Sequence, residues 1–321
     1  MKGCHFLIKK FLSSKFFQVF VVLTGISFIT FGLTMMGPGD LAKQILTGGE
    51  DLIISKAEIE AVRIELGLDK PFLVQYGNWL LKAAQGDLGY SFMAKEPVVT
   101  KLFERLPATI YLSISSLIFM LVVSIPMGIL SAIKRNTTWD FIIRSFTFFG
   151  VSMPGFWLGL LLLYIFGLKL KLLPIVGSTI SPQTIILPAL TLGISMASKY
   201  TRQVRTTILE ELNQDYVVGA RARGMSEKYI LFREVLPNAM LPLITLIGLS
   251  LGSLLGGAAV IEMVFGWPGL GRLAIEAIAY RDYFLVQGVV LWIALMYLFI
   301  NLCVDYSYYY FDPRLKKRGY K

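Results

Sequence analysis

The sequence predicts an all-α integral membrane protein with about six transmembrane helices. Two compositional observations and one positional one predict it. The 321 residues are 55% hydrophobic with a mean hydropathy of +0.64. Charged residues make up 16%, whereas a soluble domain carries about 25%. Long uncharged runs then recur along the chain, several near the roughly 20 residues that a spanning helix needs.

The first run, Phe16 to Met36, follows Lys2, Lys9, Lys10 and Lys15. A basic flank before an apolar run also fits a signal peptide. This run is long and ends Met35-Met36-Gly37-Pro38-Gly39 without a small-residue cleavage site, so it reads as a retained span. The expected organisation is residues 1–36 as a cytoplasmic N-terminus and first span, 37–106 as an extracytoplasmic segment, 107–308 as the transmembrane core, and 309–321 as a cytoplasmic tail. Within 37–106, Ser55-Lys56-Ala57-Glu58 reads as a capping box. Ile59, Val62 and Leu66 follow as an apolar stripe that Gly67 would stop. Phe72, Tyr76 and Trp79 form a second stripe after Pro71.

Further uncharged runs cover Ile110 to Ile133, Ser145 to Leu168, Val235 to Ile261 and Tyr283 to Val304. Leu172 to Ser198 is also uncharged but carries Pro174, Pro182 and Pro188. The remaining span is therefore expected at about Ile185 to Ser198, because proline turns the preceding residue away from helix. With six spans both termini share a side. Nineteen Lys and Arg residues then fall in the segments on that side, against four in the short loops opposite. The positive-inside rule makes the richer side cytoplasmic. The basic excess thus follows topology and does not imply nucleic acid.

Cys4 and Cys303 lie near opposite ends and His5 is the single histidine, so neither a disulfide framework nor a metal site is expected. Gly248-Leu249-Ser250-Leu251-Gly252 fits the hydrolase elbow pattern. It falls in a span and has no histidine partner, so that reading fails. A phosphate-binding G-x-x-x-x-G-K-[ST] loop is absent as well. The chain is expected to be neither an enzyme nor an ATP binder, and an energy-coupled role would require a separate nucleotide-binding subunit.

A charged island, Lys199 to Glu234, separates two of the apolar runs and falls in a loop, 199–236, on the cytoplasmic side. Within Asp215 to Asn238, Tyr216, Ala220 and Gly224 recur at i, i+4 and i+8, and on a helix they share a face with little bulk beyond the tyrosine. Arg221 and Arg223 supply charge elsewhere. Such a helix suits close docking into another protein. Leu236-Pro237 re-enters the apolar phase, with proline where a first helical turn tolerates it.

The spacing from Ala220 and Gly224 to Leu236-Pro237 resembles the EAA loop of ABC-importer permeases. Val218, Gly219 and Ala220 stand where E-A-A would, and Glu234 where isoleucine would, so the glutamate is absent. Asp215-Tyr216 through Gly224 resembles the dipeptide/oligopeptide/nickel branch. A second resemblance lies in Val260-Ile261-Glu262 with Phe265, Pro268-Gly269 and Gly271, similar to the family's outer loop before the last span. Leu66 to Leu80, Gly86 to Phe92, Arg281-Asp282-Tyr283-Phe284 (with Phe284 where the family commonly has proline) and Asp312-Pro313-Arg314 continue it.

The resemblance implies a type I ABC-importer permease fold in a bacterial inner membrane. It implies a second permease subunit, two ATPase subunits and an extracytoplasmic solute-binding protein as partners. Asp215, Tyr216, Gly219, Ala220, Arg221, Arg223, Gly224, Leu236 and Pro237 would form the ATPase-coupling loop. Glu262, Phe265, Pro268, Gly269 and Gly271 would form an outer loop and candidate gate. An acid at membrane depth is a functional candidate, while an interfacial Glu262 pairing Arg272 or capping a helix is the plainer reading. Gly248, Gly252 and Gly256 form a small-residue row, which packs either within the chain or against the second permease. Peptide is the first substrate class and nickel or a metal chelate the second. A proton-coupled carrier is the rival of another class, and it would need mid-span acids that the uncharged runs lack.

Overall fold

A computed structural model describes residues 2–37, 40–47, 54–175, 177 and 179–311. In chain order the elements are α1 (Lys2–Met35), α2 (Leu41–Thr47), α3 (Lys56–Glu65), α4 (Phe72–Ala84), β1 (Tyr90–Ser91), β2 (Glu96–Pro97), α5 (Val98–Ile133), α6 (Thr138–Ser152) and α7 (Gly155–Leu162). A π-helical stretch, Leu163–Lys169, completes α7. Next come α8 (Ile186–Leu212), α9 (Asp215–Ala222) and α10 (Glu227–Tyr229), then a second π-helical stretch, Ile230–Val235. The chain ends with α11 (Leu236–Gly257), α12 (Ala259–Phe265), α13 (Leu270–Ala279) and α14 (Tyr283–Phe311). The expected tail motif Asp312-Pro313-Arg314 lies outside the described residues.

Each of the six expected runs is helical. Phe17–Met35, Val98–Ile133 and Tyr283–Tyr306 are long and apolar enough to cross a bilayer among the described residues. α8 and α11, at 27 and 22 residues, also reach spanning length. α8 runs well past the expected Ser198 and carries Lys199, Arg202 and Arg205 in its second half. The run from Ser145 to Leu168 is corrected. It is a bent pair, α6 and α7, turned by 102°. Pro154 is the cause, since its ring clashes with the carbonyl four residues back and it has no N–H to donate. Met153 before it is accordingly extended, at φ −84° and ψ 130°.

Two compact units form, and neither is continuous in sequence. The first joins 1–107 to 269–298. Here the capping box forms as expected, with Glu58 N donating to Ser55 Oγ at 3.2 Å and Ser55 N donating to Glu58 Oε2 at 3.1 Å. Gly67 ends the turn after α3 at φ +67°. Of the α3 stripe, Ile59 and Val62 are half-buried, but Leu66 is exposed. Tyr76 and Trp79 on α4 are buried against Phe31 of α1. The β1–β2 hairpin is not foreseen in the sequence. It is held by Asp282, which accepts from Ser91 Oγ at 2.6 Å and Met93 N at 3.1 Å. The same carboxylate caps α14 through Leu285 N at 3.1 Å.

The second unit comprises 108–268 with 299–321. Its α6 and α8 run antiparallel. Gly150 lets them approach so closely that a β-carbon there would collide with Ser198. At the other end of the pair, Asp140 is buried and meets Arg205.

Candidate functional site

α9 begins with an acid, Asp215, and ends with a base, Arg221, an arrangement that complements the helix dipole. It stops at Ala222 because Gly224 takes the left-handed conformation, φ +75°. Gly224 N then donates to Arg221 O at 2.9 Å and Met225 N to Ala220 O at 3.2 Å. This corrects the expected face. Gly224 lies beyond the helix and cannot continue a row with Tyr216 and Ala220. Ala220 is fully buried, as is Val217, in a cluster with Val204, Ile208, Ile230, Val235 and Ala239. Tyr216 is half-buried, and its hydroxyl donates to Glu211 Oε2 at 2.6 Å.

The open face of α9 is instead Asp215, Val218, Gly219 and Ala222. Gly219 and Ala222 among them are small, and a β-carbon on Gly219 would meet nothing within 4 Å. Arg221 is not a free charge, because it makes a two-point pair with Glu227 at 2.8 and 3.1 Å. That pair holds Glu227 below the usual carboxylate range, chiefly through the Arg221 hydrogen bonds. Arg223 is exposed.

α11 begins at Leu236, so Pro237 lies in its first turn as expected, although a helical turn leads directly into it. The proline sits just after the π-helical stretch Ile230–Val235. A proline there cannot donate to the carbonyl four residues back, and the wider turn before it absorbs the mismatch.

The outer-loop residues are packed rather than open. Glu262 is fully buried and Thr109 Oγ1 donates to its Oε1 at 3.1 Å. Phe265 and Trp267 are buried beside it, and Trp267 Nε1 donates to Ala108 O at 2.9 Å. Gly266, at φ +63°, turns the chain so that Trp267 N reaches Glu262 O at 2.8 Å. Pro268 is half-buried, while Gly269, the cap of α13, and Gly271 are buried. Arg272 pairs with Glu276 at 2.6 Å.

Gly248 and Gly252 are buried on α11. A β-carbon on Gly248 would strike the Val304 side chain of α14, so at Gly248 the row packs within the chain. Gly256 lies on the same helix, and its surroundings are outside the described residues.

Sequence reasoning missed the structural roles of four residues, Thr109, Asp140, Arg205 and Asp282. Thr109 carries no local pattern. Asp140 with Arg205 joins positions 65 apart. Asp282 does have a readable signal, since an aspartate directly before an apolar helix is a cap.

Comparison with known proteins follows this geometry. Residues 124–317 match the family model described as "Binding-protein-dependent transport system inner membrane component". Residues 6–115 match its N-terminal companion. The chain is 38% identical over 291 residues to the glutathione transport system permease protein GsiC of Escherichia coli O6:H1, covering 91% of this chain and 94% of that protein. The GsiC proteins of Escherichia coli K12 and Shigella dysenteriae serotype 1 give the same identity and coverage. Among solved structures, an inward-facing MetNI methionine ABC transporter aligns at a TM-score of 0.55 and 19% identity, over 66% of this chain and 96% of that one. That likeness is one of fold, the type I permease fold. With the model match covering more than half of its length, the chain belongs to the binding-protein-dependent transport system inner membrane component family.

Proposed function

We propose that this chain is the permease subunit of an ATP-driven importer that carries dipeptides or oligopeptides across the cytoplasmic membrane. The family makes it the membrane part of a binding-protein-dependent ABC importer, with ATP hydrolysis in other chains. The finer reading pairs it with a second permease subunit, two ATPase subunits and one extracytoplasmic solute-binding protein. One observation carries the peptide class, the 38% identity over 91% of the chain to glutathione permeases. Glutathione is itself a small peptide.

The coupling geometry supports the mechanism. The open face of α9 offers Asp215, Val218, Gly219 and Ala222 to an ATPase, while Val217 and Ala220 fix the opposite face to its own chain. A push on α9 therefore reaches Val204 and Ile208 of α8 and Val235 and Ala239 at the base of α11 through packed side chains. Alternating access follows if two states of similar free energy are rebalanced by ATP and substrate. ATP and Mg belong to the partner subunits. Both termini are assigned to the cytoplasm on the basic asymmetry.

Uptake by cells lacking this chain, with and without its restoration, tests the substrate. Labelled glutathione and labelled dipeptides should enter only when the chain is restored. Uptake of a nickel chelate with no peptide uptake would reject the peptide reading in favour of the metal one.

A further inference from the structure

A groove of about 730 Å³ opens between α6 and α8 in the second unit. It is lined by Phe141, Arg144, Phe148 and Phe149 of α6 and by Arg202 and Arg205 of α8, with the hydroxyls of Ser145 and Thr206. The three guanidinium groups are not equivalent. Arg205 is spent on Asp140, donating Nε and Nη2 at 2.9 Å each. Arg144 and Arg202 are exposed and hold no carboxylate among the described residues. Two positive charges therefore remain without a partner in a cleft whose aromatic walls Phe141, Phe148 and Phe149 are 60–70% exposed.

We infer that this groove binds the phosphate headgroup of an anionic phospholipid, with an acyl chain lying along Phe148 and Phe149. The order of residues fits. α6 and α8 are antiparallel, so Arg144 and Arg202 lie toward the end marked by the Asp140–Arg205 pair, and Phe148 and Phe149 lie further along α6. That end is the one the Lys and Arg distribution assigns to the cytoplasmic leaflet. Basic clefts between membrane helices on that side attract anionic headgroups, and each such cation near the surface contributes on the order of 1 kcal/mol. Paired guanidinium forks match phosphate oxygens, and the neighbouring hydroxyls add donors. A zwitterionic lipid brings its own cation to the two arginines and gains less. The site is separate from α9 and from the transport reading.

The test uses the full-length chain extracted from membranes in mild detergent. It is supplied with equal phosphatidylglycerol and phosphatidylcholine and read by native mass spectrometry. The parent should retain phosphatidylglycerol over phosphatidylcholine by roughly tenfold or more. Arg144→Gln with Arg202→Gln should bring the two lipids close to parity. Lys56→Gln with Lys82→Gln, which removes the same charge from the first unit, should leave the preference unchanged. Equal retention by the parent, or an undiminished preference in the arginine double variant, overturns the inference. A second measurement keeps both arginines. Phe148 is replaced by photoreactive p-benzoylphenylalanine and irradiated in native membranes. A phospholipid adduct supports the site, whereas adducts to another polypeptide alone overturn it by showing that protein covers the groove.

Discussion

Asp140 is 1% exposed and accepts from Ser131 Oγ at 2.5 Å, Asn136 N at 3.0 Å and both Arg205 nitrogens at 2.9 Å. It ties the α5–α6 turn to α8. Breaking a buried pair by removing one partner costs about 3–5 kcal/mol. Arg205 borders the open groove, with 19% of its side chain exposed, so the lower end applies. Asp140→Ala should thus cost about 3 kcal/mol, read as a lower melting temperature of the detergent-extracted chain. An unchanged melting temperature would mean that the pair does not hold the turn. Tyr216 gives a pH-dependent counterpart. Its phenol is pushed up to about 12, first by burial and then by the Glu211 carboxylate. The folded chain favours the neutral phenol. Its contribution is therefore full below the ordinary value of about 10 and is lost as pH rises from there through about 12. Tyr216→Phe should flatten that alkaline limb when stability is followed against pH, and an unaltered limb would assign the loss to other groups.

α9 shows which parts of an element can be read in advance. Gly224 falls on the expected helical face although a glycine closes a helix, while a start near Asp215 was legible, because an acid suits a first turn. Its buried face was not. Periodicity points to Tyr216 with Ala220 and Gly224 as the open face, whereas the face left open is Asp215 with Val218, Gly219 and Ala222. Ile230 and Val235, returning later in the chain, decide between them by covering Ala220. The coupling reading then separates two substitutions. Gly219→Trp points into open space, so the chain should stay folded but lose its ATPase subunits on purification and lose uptake. Ala220→Trp overpacks a core and should misfold, since even modest overpacking costs about 1–3 kcal/mol. Normal uptake with Trp at 219 would remove this face from the coupling contact.

Across the whole molecule, the apolar runs were legible because uncharged length is a signal along one dimension. The discontinuous units were not. Ser91 meets Asp282 across 191 positions and Thr109 meets Glu262 across 153, and nothing in either neighbourhood announces the other. The bend at Pro154 was readable in principle, but the uncharged length of Ser145 to Leu168 outweighed a single proline. Topology remains a direct test. In a chain freed of Cys4 and Cys303, a cysteine at Ser226 should resist an impermeant thiol reagent in intact cells and react once the membrane is opened. A cysteine at Lys70 should react in both. Labelling at 226 in intact cells would reverse the assigned orientation.

The break at Pro154 also bears on bilayer thickness. α6 has 15 residues, a rise of about 22 Å, and α7 then departs at 102°. The hydrocarbon layer is about 30 Å thick. A straight arm this short leaves a hydrophobic mismatch that the lipid must absorb by thinning beside it. Transport reconstituted in myristoyl-chain bilayers should therefore outpace transport in eicosenoyl-chain bilayers, and Pro154→Ala should narrow the gap by letting the two arms straighten.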